Sequence, residues 1–281
     1  MQDKFRESSR ATIVRIERCL PQLSSRPSAP SIHKFRTQSR RVETILREIP
    51  NDAPRYQQKL LKQLSKLRKK TGRVRDLDVQ VTMLRNLKVP EAAKIKSRLI
   101  RQLLDERTER EREVRQLLDK KTVRDLRKRL KRLKAELQLE PSTDLLSTAK
   151  QILDGLIQVN ALPDEEILHR YRVVGKRARY IAEMSGDESK VRDFIGQLKK
   201  LQDSLGEWHD WLQLTERAKR TFGGAEKSPL FALLQNITRT KFHQAVGVLK
   251  ETRTSLQQLP GSSPVLRKPP QAIVQAKVAV A

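Results

Sequence analysis

Apolar residues recur at helical spacing along almost the whole chain. The stretch between residues 60 and 81 shows the pattern in Leu60, Leu64, Leu67, Val74 and Val81, and a longer leucine series runs from residue 103 to residue 137. Good helix formers dominate these stretches, whereas Gly and Pro collect mainly between them. No succession of β-strands is visible. The sequence therefore predicts an all-α protein with about seven or eight helices packed as a bundle.

Short segments rich in Pro, Gly and Ser divide the chain into helices. Breaks are predicted within residues 21–31, 49–55, 89–93, 139–144, 162–166, 185–189 and 222–229. Ser31 and Asp164 precede periodic segments and are predicted to be N-caps. The segment 95–138 is so highly charged that we expect a long, partly exposed hairpin. Residues 256–281 lack periodicity and are predicted to form a disordered tail.

The charge balance limits the kind of partner that the chain can have. Its 281 residues include 60 Lys and Arg against 33 Asp and Glu, a formal net charge of +27. Such an excess opposes folding through self-repulsion and indicates a polyanionic partner. The single cysteine, Cys19, excludes a disulfide framework and a Cys-based zinc site. We see no apolar leader and no membrane span of about 18 apolar residues, so we expect a soluble, cytoplasmic protein.

Two of the predicted helices carry the same pattern of cations. The first, SIHKFRTQSRRVETIL (31–46), and the second, EILHRYRVVGKRARYI (166–181), match at one constant separation (169 − 33 = 136). The matched pairs are His33 with His169, Arg36 with Arg172, Arg40 with Lys176, and Arg41 with Arg177. At about 100° per residue, apolar residues such as Phe35 and Tyr171 fall opposite these cations. Each helix is therefore predicted to bury one face and present a basic one.

A second motif repeats in the same order. LRKKTGRVRDLDVQV (67–81) parallels LQDSLGEWHDWLQL (201–214) at nearly the same separation (210 − 76 = 134). The corresponding pairs are Gly72 with Gly206, Arg75 with His209, and Asp76 with Asp210. Two ordered repeats at similar offsets predict a duplicated helical unit, with halves at about residues 1–138 and 142–255.

The residue types in these repeats suit the binding of phosphates. A guanidinium offers a planar fork that matches two phosphate oxygens, and a His becomes cationic when a nearby polyanion raises its pKa. Two facing basic stripes would focus positive potential in the groove between them. We expect Asp76, Asp78 and Asp210 to orient neighbouring arginines rather than to touch the ligand.

These four motifs resemble the CHAD family, the conserved histidine α-helical domain. The second-half segments 168–183 and 198–211 are the closest match, and the first-half motifs fit the family's N-terminal copy. The resemblance covers residues 1–255. It implies an all-α fold of two pseudo-symmetric four-helix-bundle halves around a basic central groove or channel. It also implies inorganic polyphosphate as the ligand and an association with polyphosphate granules.

The family pattern also implies which side chains face the ligand. Matched by motif, they are His33, Arg36, Arg40, Arg41, Arg75, His169, Arg172, Lys176, Arg177, Arg179, Lys200 and His209. Because Arg75 and His209 occupy equivalent places, the two halves need not contribute equally.

Motifs of phosphate-processing enzymes are not evident. The string from Glu109 through Glu111 to Glu113 approaches the Glu-x-Glu-x-Lys marker of triphosphate tunnel domains, but it ends in Glu within a helical stretch, which indicates a solvated charged face. Gly223-Gly224 lacks the rest of a phosphate-binding loop. No His has a partner at metal-ligand spacing. These absences indicate a protein with no catalytic residue, no metal and no cofactor, and the resemblance implies that it binds polyphosphate.

Nucleic-acid binding is the main alternative, because a basic groove also attracts DNA and RNA backbones. Aromatic residues make up only 4% of the chain, so a stacking platform for bases is poorly supplied. We expect Trp208 and Trp211 to pack in the core or in the channel wall. A scaffold built on the 95–138 helices is a third possibility, but it does not explain the repeat.

Overall fold

The computed structural model describes residues 2–47, 54–136, 144–157, 163–186, 188–222 and 228–257. Within these ranges the chain is helical and contains no strand. The α-helices are α1 (Gln2–Ser25), α2 (Ala29–Arg47), α3 (Arg55–Asn86), α4 (Ala93–Leu117), α5 (Lys120–Glu136), α6 (Leu145–Ile157), α7 (Glu165–Ala182), α8 (Ser189–Phe222) and α9 (Pro229–Gln257). A 3₁₀ turn (Pro90–Ala92) precedes α4. The predicted all-α class is confirmed.

The described residues form more helices than the seven or eight predicted. The additional boundary separates α4 from α5 at Leu118, where neither Pro nor Gly marks a break. Asp119 stabilises the start of α5, because its Oδ1 accepts a hydrogen bond from the Thr122 N–H at 2.6 Å.

The helix packing brings the repeated motifs together. Helices α1 to α4 pack in chain order, and helices α6 to α9 do the same. Helix α2 also packs against α7, and α3 packs against α8, so each motif helix contacts its counterpart. Helix α5 lies against α1 and α3. The exact pseudo-symmetry of the two halves stays a prediction.

Equivalent apolar positions are buried in both copies of the repeat. Phe35 and its counterpart Tyr171 are buried, as are Val74 and its counterpart Trp208. Burial of one such large side chain contributes about 1.5 to 3 kcal/mol, so these positions fix the rotation of each motif helix. The cations on the opposite side are thereby directed away from the cores. Leu137, the last residue of the predicted leucine series, lies outside the described residues.

Segment 95–138 is partly exposed, as predicted, but it does not project from the fold as a hairpin. Leu99 and Leu103 of α4 are buried, and so are Leu126 and Leu130 of α5. The leucines of α4 pack in a cluster with residues of α3, α8 and α9, and α5 packs against α1 and α3. An amphipathic helix gains more from such packing than from exposure.

One of the two predicted N-caps is confirmed. Asp164 Oδ1 accepts a hydrogen bond from the Ile167 N–H at 2.7 Å at the start of α7. Ser31 is not an N-cap, since α2 already begins at Ala29. The Oγ of Ser28 accepts instead from the Ser31 N–H at 3.4 Å. The predicted tail, apart from its first two residues in α9, lies outside the described part of the chain.

Candidate functional site

Arg75 of α3 and Asp210 of α8 join the two motif-bearing segments. Arg75 Nη1 and Nη2 donate to Asp210 Oδ1 and Oδ2 at 3.0 and 3.1 Å, and Nη1 also lies 3.3 Å from Asp76 Oδ1. Burial lowers the pKa of Arg75, but the hydrogen bonds and charge of Asp210 outweigh burial and raise it overall. Both aspartates therefore contact an arginine, as expected, and their having no contact with the ligand stays a prediction. Asp78 likewise contacts Arg107, with an Oδ1–Nε distance of 2.6 Å.

Arg36 of α2 lies directly over the backbone of α3. Its Nη1 donates to the carbonyl oxygen of Arg68 at 2.5 Å. A Cβ at Gly72 would lie 2.6 Å from the same Nη1, so the absence of a side chain at residue 72 makes room for the guanidinium. Burial, followed by the charge of Arg40, lowers the pKa of Arg36 to about 10. Arg36 therefore remains cationic at neutral pH while being largely removed from water.

Arg172 and Lys176 of α7 interact electrostatically with charged residues of α2 and α3. Burial lowers the pKa of Arg172, which also interacts electrostatically with Asp210, Arg40 and Arg75. Burial and then the charge of Arg172 lower the pKa of Lys176 to about 6, with further contributions from Arg40 and Arg75. Lys176 is thus mostly neutral at pH 7 in the unliganded protein.

Two histidines adjoin these cations. The ring centroids of His169 and His209 are 5.9 Å apart. Burial, followed by the charge of Arg172, lowers the pKa of His209 to about 4, and the same two causes lower the pKa of His169. The buried Trp208 ring lies 6.3 Å from that of His209. The expected packing role of Trp208 is confirmed, and Trp211 is half-buried against the core that includes Leu214.

We use the name central cluster for eight of the interacting groups from these four helices, leaving out Arg68, which pairs with Glu43, and the exposed His169. Its members are Arg36, Arg40, Arg75, Asp76, Arg172, Lys176, His209 and Asp210. Four arginines face two carboxylates, so the cluster keeps two positive charges (4 − 2 = 2) even with Lys176 and His209 neutral. Excess positive charge that is partly removed from water is a local electrostatic cost, which a bound anion would relieve.

Arg41 and Arg179, also predicted to face the ligand, both contact Glu183. Arg41 Nε and Nη2 lie 3.0 and 2.9 Å from Glu183 Oε2. Arg179 Nε lies 3.5 Å from Glu183 Oε1, and its guanidinium lies over the Tyr180 ring at 5.1 Å from the centroid. This carboxylate therefore links α2 to α7 and engages both arginines.

The remaining predicted site residues are exposed. His33, His169, Arg177 and Lys200 lie at the surface of α2, α7 and α8. Of these, His169 contacts His209 and so adjoins the central cluster. His33 forms no side-chain hydrogen bond or ion pair with any residue that the structure describes. The two histidines at equivalent motif positions therefore have different surroundings.

Arg68 and Gln202 are positioning residues that the sequence reasoning missed. Arg68 Nε donates to Glu43 Oε1 at 2.9 Å, which fixes the backbone region that receives Arg36. Gln202 occupies the equivalent position (202 − 68 = 134), and its Nε2 donates to the carbonyl oxygen of Gly175 at 2.8 Å. Arg68 and Gln202 have the same separation as the other pairs of the second motif, so the repeat could have identified them. Because one is an arginine and the other a glutamine, the correspondence is not evident from residue type.

The Glu109 to Glu113 string lies on helix α4 rather than on a strand. Glu111 pairs with Arg107 and Arg115, and Glu113 pairs with Lys70 at 2.6 Å. The predicted helical position of this string is confirmed, but the face is not simply solvated, because Glu111 and Glu113 are half-buried and ion-paired. Within the described ranges, no three His, Cys, Asp or Glu side chains are grouped as a metal site would require. The described helices also include none that is long and apolar enough to cross a bilayer.

Comparisons with known proteins agree with this geometry. The model of the CHAD domain family matches residues 12–219. The crystal structure of the CHAD domain from the plant Ricinus communis superposes with a TM-score of 0.70 at 16% sequence identity, covering 92% of each chain. That likeness shows the fold. None of the curated proteins is a match in sequence. Because the family model matches well over half of the sequence, the chain belongs to the CHAD domain family.

Proposed function

We propose that this chain binds inorganic polyphosphate in a groove lined by the central cluster, without catalysing its breakdown. The main support is that cations from both copies of the repeat act on one another in a single partly buried cluster that holds only two carboxylates. The resemblance to polyphosphate-binding CHAD proteins implies the same ligand. Binding of this kind would target the protein to cytoplasmic polyphosphate granules.

The chemistry of the cluster suits a chain of phosphates. Arg36 and Arg172 would donate to phosphate oxygens through charge-assisted hydrogen bonds, which are roughly twice as strong as neutral ones. Arg75 would share its N–H groups between Asp210 and a phosphate, since both anions accept hydrogen bonds from a guanidinium fork. His209, neutral in the unliganded protein, would contribute an N–H donor.

The other predicted ligand residues extend this groove in the proposal. The exposed His33, Arg177 and Lys200 would contact phosphates beyond the buried section. Arg41 and Arg179 would share their N–H groups between Glu183 and the ligand. Such exposed contacts add mainly salt-dependent affinity, because counterions are released as each phosphate is neutralised.

Competition between polyanions tests the ligand assignment. Labelled long-chain polyphosphate is bound to the protein and displaced by unlabelled polyphosphate, duplex DNA or single-stranded RNA at equal phosphate concentration and near-physiological salt. We expect polyphosphate to displace best, and the recovered chains to keep their length. Preferential displacement by DNA or RNA would support nucleic-acid binding instead.

Charge reversal tests the place of binding. The double variant Arg36→Glu, Arg172→Glu should lower polyphosphate affinity about a hundredfold or more, since it replaces two cations at the cluster by anions. The control is Arg98→Glu, Arg239→Glu, which makes the same change in net charge at two exposed positions of α4 and α9. Circular dichroism establishes that both variants stay helical. Equal losses in the two variants would contradict binding at the cluster.

A further inference from the structure

A second cationic surface lies away from the central cluster. Among the exposed cations of α3 and α5, three on each helix follow the same i, i+3, i+7 spacing, which places them on one side of the helix. We call this surface the outer face. Its residues are Lys59, Lys62 and Lys66 on α3, and Lys121, Arg124 and Lys128 on α5.

Two contacts show that α3 and α5 run in opposite directions beside each other. Tyr56 donates a hydrogen bond to Glu136, and Gln63 Nε2 donates to Asp125 Oδ2 at 3.0 Å. The residue nearer the start of α3 contacts the end of α5, and the later residue of α3 contacts an earlier residue of α5, so the helices are antiparallel. The three outer-face cations lie at positions −4, −1 and +3 from Gln63 on α3 and from Asp125 on α5. Their angles about the helix axis, measured from the contact between Gln63 and Asp125, are therefore the same on both helices, and all six are exposed. Together they form one continuous surface.

The acidic residues of this region point into the seam between the helices. Asp125 is engaged by Gln63 and by Arg129, the latter through bonds of 2.9 to 3.0 Å. Glu136 is engaged by Tyr56 and Arg132. None of the six outer-face cations has an ion-pair partner among the described residues. Asp119 interacts electrostatically with Lys121, and Asp125 does so with Lys128, without an ion pair in either case. These two carboxylates offset part of the six positive charges, and the surface keeps an excess of at least four (6 − 2 = 4).

The outer face is distinct from the central cluster. Lys66 and Arg75 are nine positions apart on α3, which at about 100° per residue is half a turn, so they face opposite sides of the helix. The charges that act most strongly on Arg36, Arg172, Lys176 and His209 come from α2, α3, α7 and α8, and none comes from α5. A polyanion that occupies the cluster would leave the outer face open.

The composition of the outer face favours a simple polyanion over other partners. Five of its six cations are lysines, which act as point charges and need no fixed phosphate geometry. The only aromatic residue on α3 or α5 is Tyr56, which is buried, so bases would find no stacking platform. Among the described residues, Val173 on α7 is the one large apolar side chain that is exposed. The outer face therefore has no large apolar side chain that could insert into a lipid surface.

We propose that the outer face binds a second polyphosphate chain, so that one protein molecule bridges two chains. This inference rests on the proposed function, because the first chain is held by the central cluster. Bridging follows from the geometry, since the two surfaces point to opposite sides of α3. A molecule of this kind would cross-link polyphosphate rather than merely coat it.

A sandwich assay tests bridging directly. Short polyphosphate chains are fixed to a surface, the protein is bound, and a fluorescent second polyphosphate is added. The outer-face variant carries Lys59→Gln, Lys66→Gln, Lys121→Gln and Lys128→Gln. The control carries Lys94→Gln, Lys190→Gln, Lys219→Gln and Lys250→Gln at exposed positions of α4, α8 and α9. Both variants lower the net charge from +27 to +23 (27 − 4 = 23).

We expect the outer-face variant to stay on the surface within about threefold of the wild type but to capture at least about fivefold less of the second chain. The control should behave like the wild type in both steps. Circular dichroism and thermal melting verify that both variants are folded. Undiminished capture by the outer-face variant, or an equal loss in the control, would overturn the inference alone. A wild-type protein that is not retained by the first chain would overturn the proposed function as well.

Discussion

Arg75 and Asp210 form a two-point ion pair between α3 and α8, with N–O distances of 3.0 and 3.1 Å. The geometry matches the one that an arginine fork adopts on a phosphate group. In the unliganded protein, Asp210 therefore holds the guanidinium in a binding-competent orientation and also competes with the ligand for it. The balance of these two effects can be measured.

Asp210→Asn should strengthen polyphosphate binding about threefold to tenfold, because it removes one competing negative charge while keeping the shape of the side chain. The free energy of unfolding should fall by about 1 to 3 kcal/mol, since Arg75 loses its charged partner. Isothermal titration and urea unfolding measure the two effects. Asp203→Asn makes the same charge change at an exposed site of α8 and should change neither the polyphosphate affinity nor the free energy of unfolding. Weaker binding by Asp210→Asn would show that orientation matters more than competition.

The two equivalent glycines allow a matched comparison. A methyl group at Gly72 would lie 2.6 Å from Arg36 Nη1 and displace the guanidinium from the Arg68 carbonyl, whereas a methyl group at Gly206 meets nothing within 4 Å. Gly72→Ala should thus reduce polyphosphate affinity about tenfold while the protein stays folded. Gly206→Ala should leave affinity unchanged and raise stability by up to about 1 kcal/mol. Equal affinities for the two variants would contradict a binding role for Arg36.

Polyphosphate binding should take up a proton at Lys176. Its pKa of about 6 in the unliganded protein should rise when a polyanion binds, so affinity should increase as the pH falls from 8 towards 6. The slope should approach one tenfold change per pH unit at most. Calorimetry in buffers of different ionisation enthalpy measures the proton uptake. Lys176→Gln should abolish this uptake, whereas Lys199→Gln, at an exposed position of α8, should not.

The same lysine also affects folding. The unfolded chain protonates Lys176 near the ordinary value of 10.5, whereas the folded protein does so only near 6. As the pH falls through this window, the unfolded state binds the additional proton, and stability decreases. Lys176→Gln should therefore make unfolding less dependent on pH between these values, as thermal melts at a series of pH values would show. An unchanged pH dependence would contradict the burial of this group.

Glu183→Gln should loosen the contact between α2 and α7, because Arg41 and Arg179 share this carboxylate. We expect the free energy of unfolding to drop by about 1 kcal/mol, since the pairs are only partly buried. Polyphosphate affinity should stay the same or increase slightly, as two arginines are released. Glu251→Gln, at an exposed position of α9, provides the charge-matched control. A large loss of affinity would mean that Glu183 positions these arginines for the ligand.

The sequence predicted the faces of helices better than the contacts between them. The burial of Phe35 and the opposite placement of Arg36 follow from the 3.6-residue period alone. The α4–α5 boundary at Leu118 has no Pro or Gly, so local composition could not reveal it. The contacts of Arg36 with the Arg68 carbonyl and of Arg41 with Glu183 depend on which helices meet, and periodicity carries no information about that.

A crystal structure of the protein with a short polyphosphate chain would show directly whether the central cluster binds the ligand. We expect phosphate oxygens within about 3 Å of the guanidinium groups of Arg36, Arg75 and Arg172, with Arg75 shared between the ligand and Asp210. Phosphates bound only at other surfaces, with the Arg75–Asp210 pair intact and the central cluster untouched, would contradict this expectation.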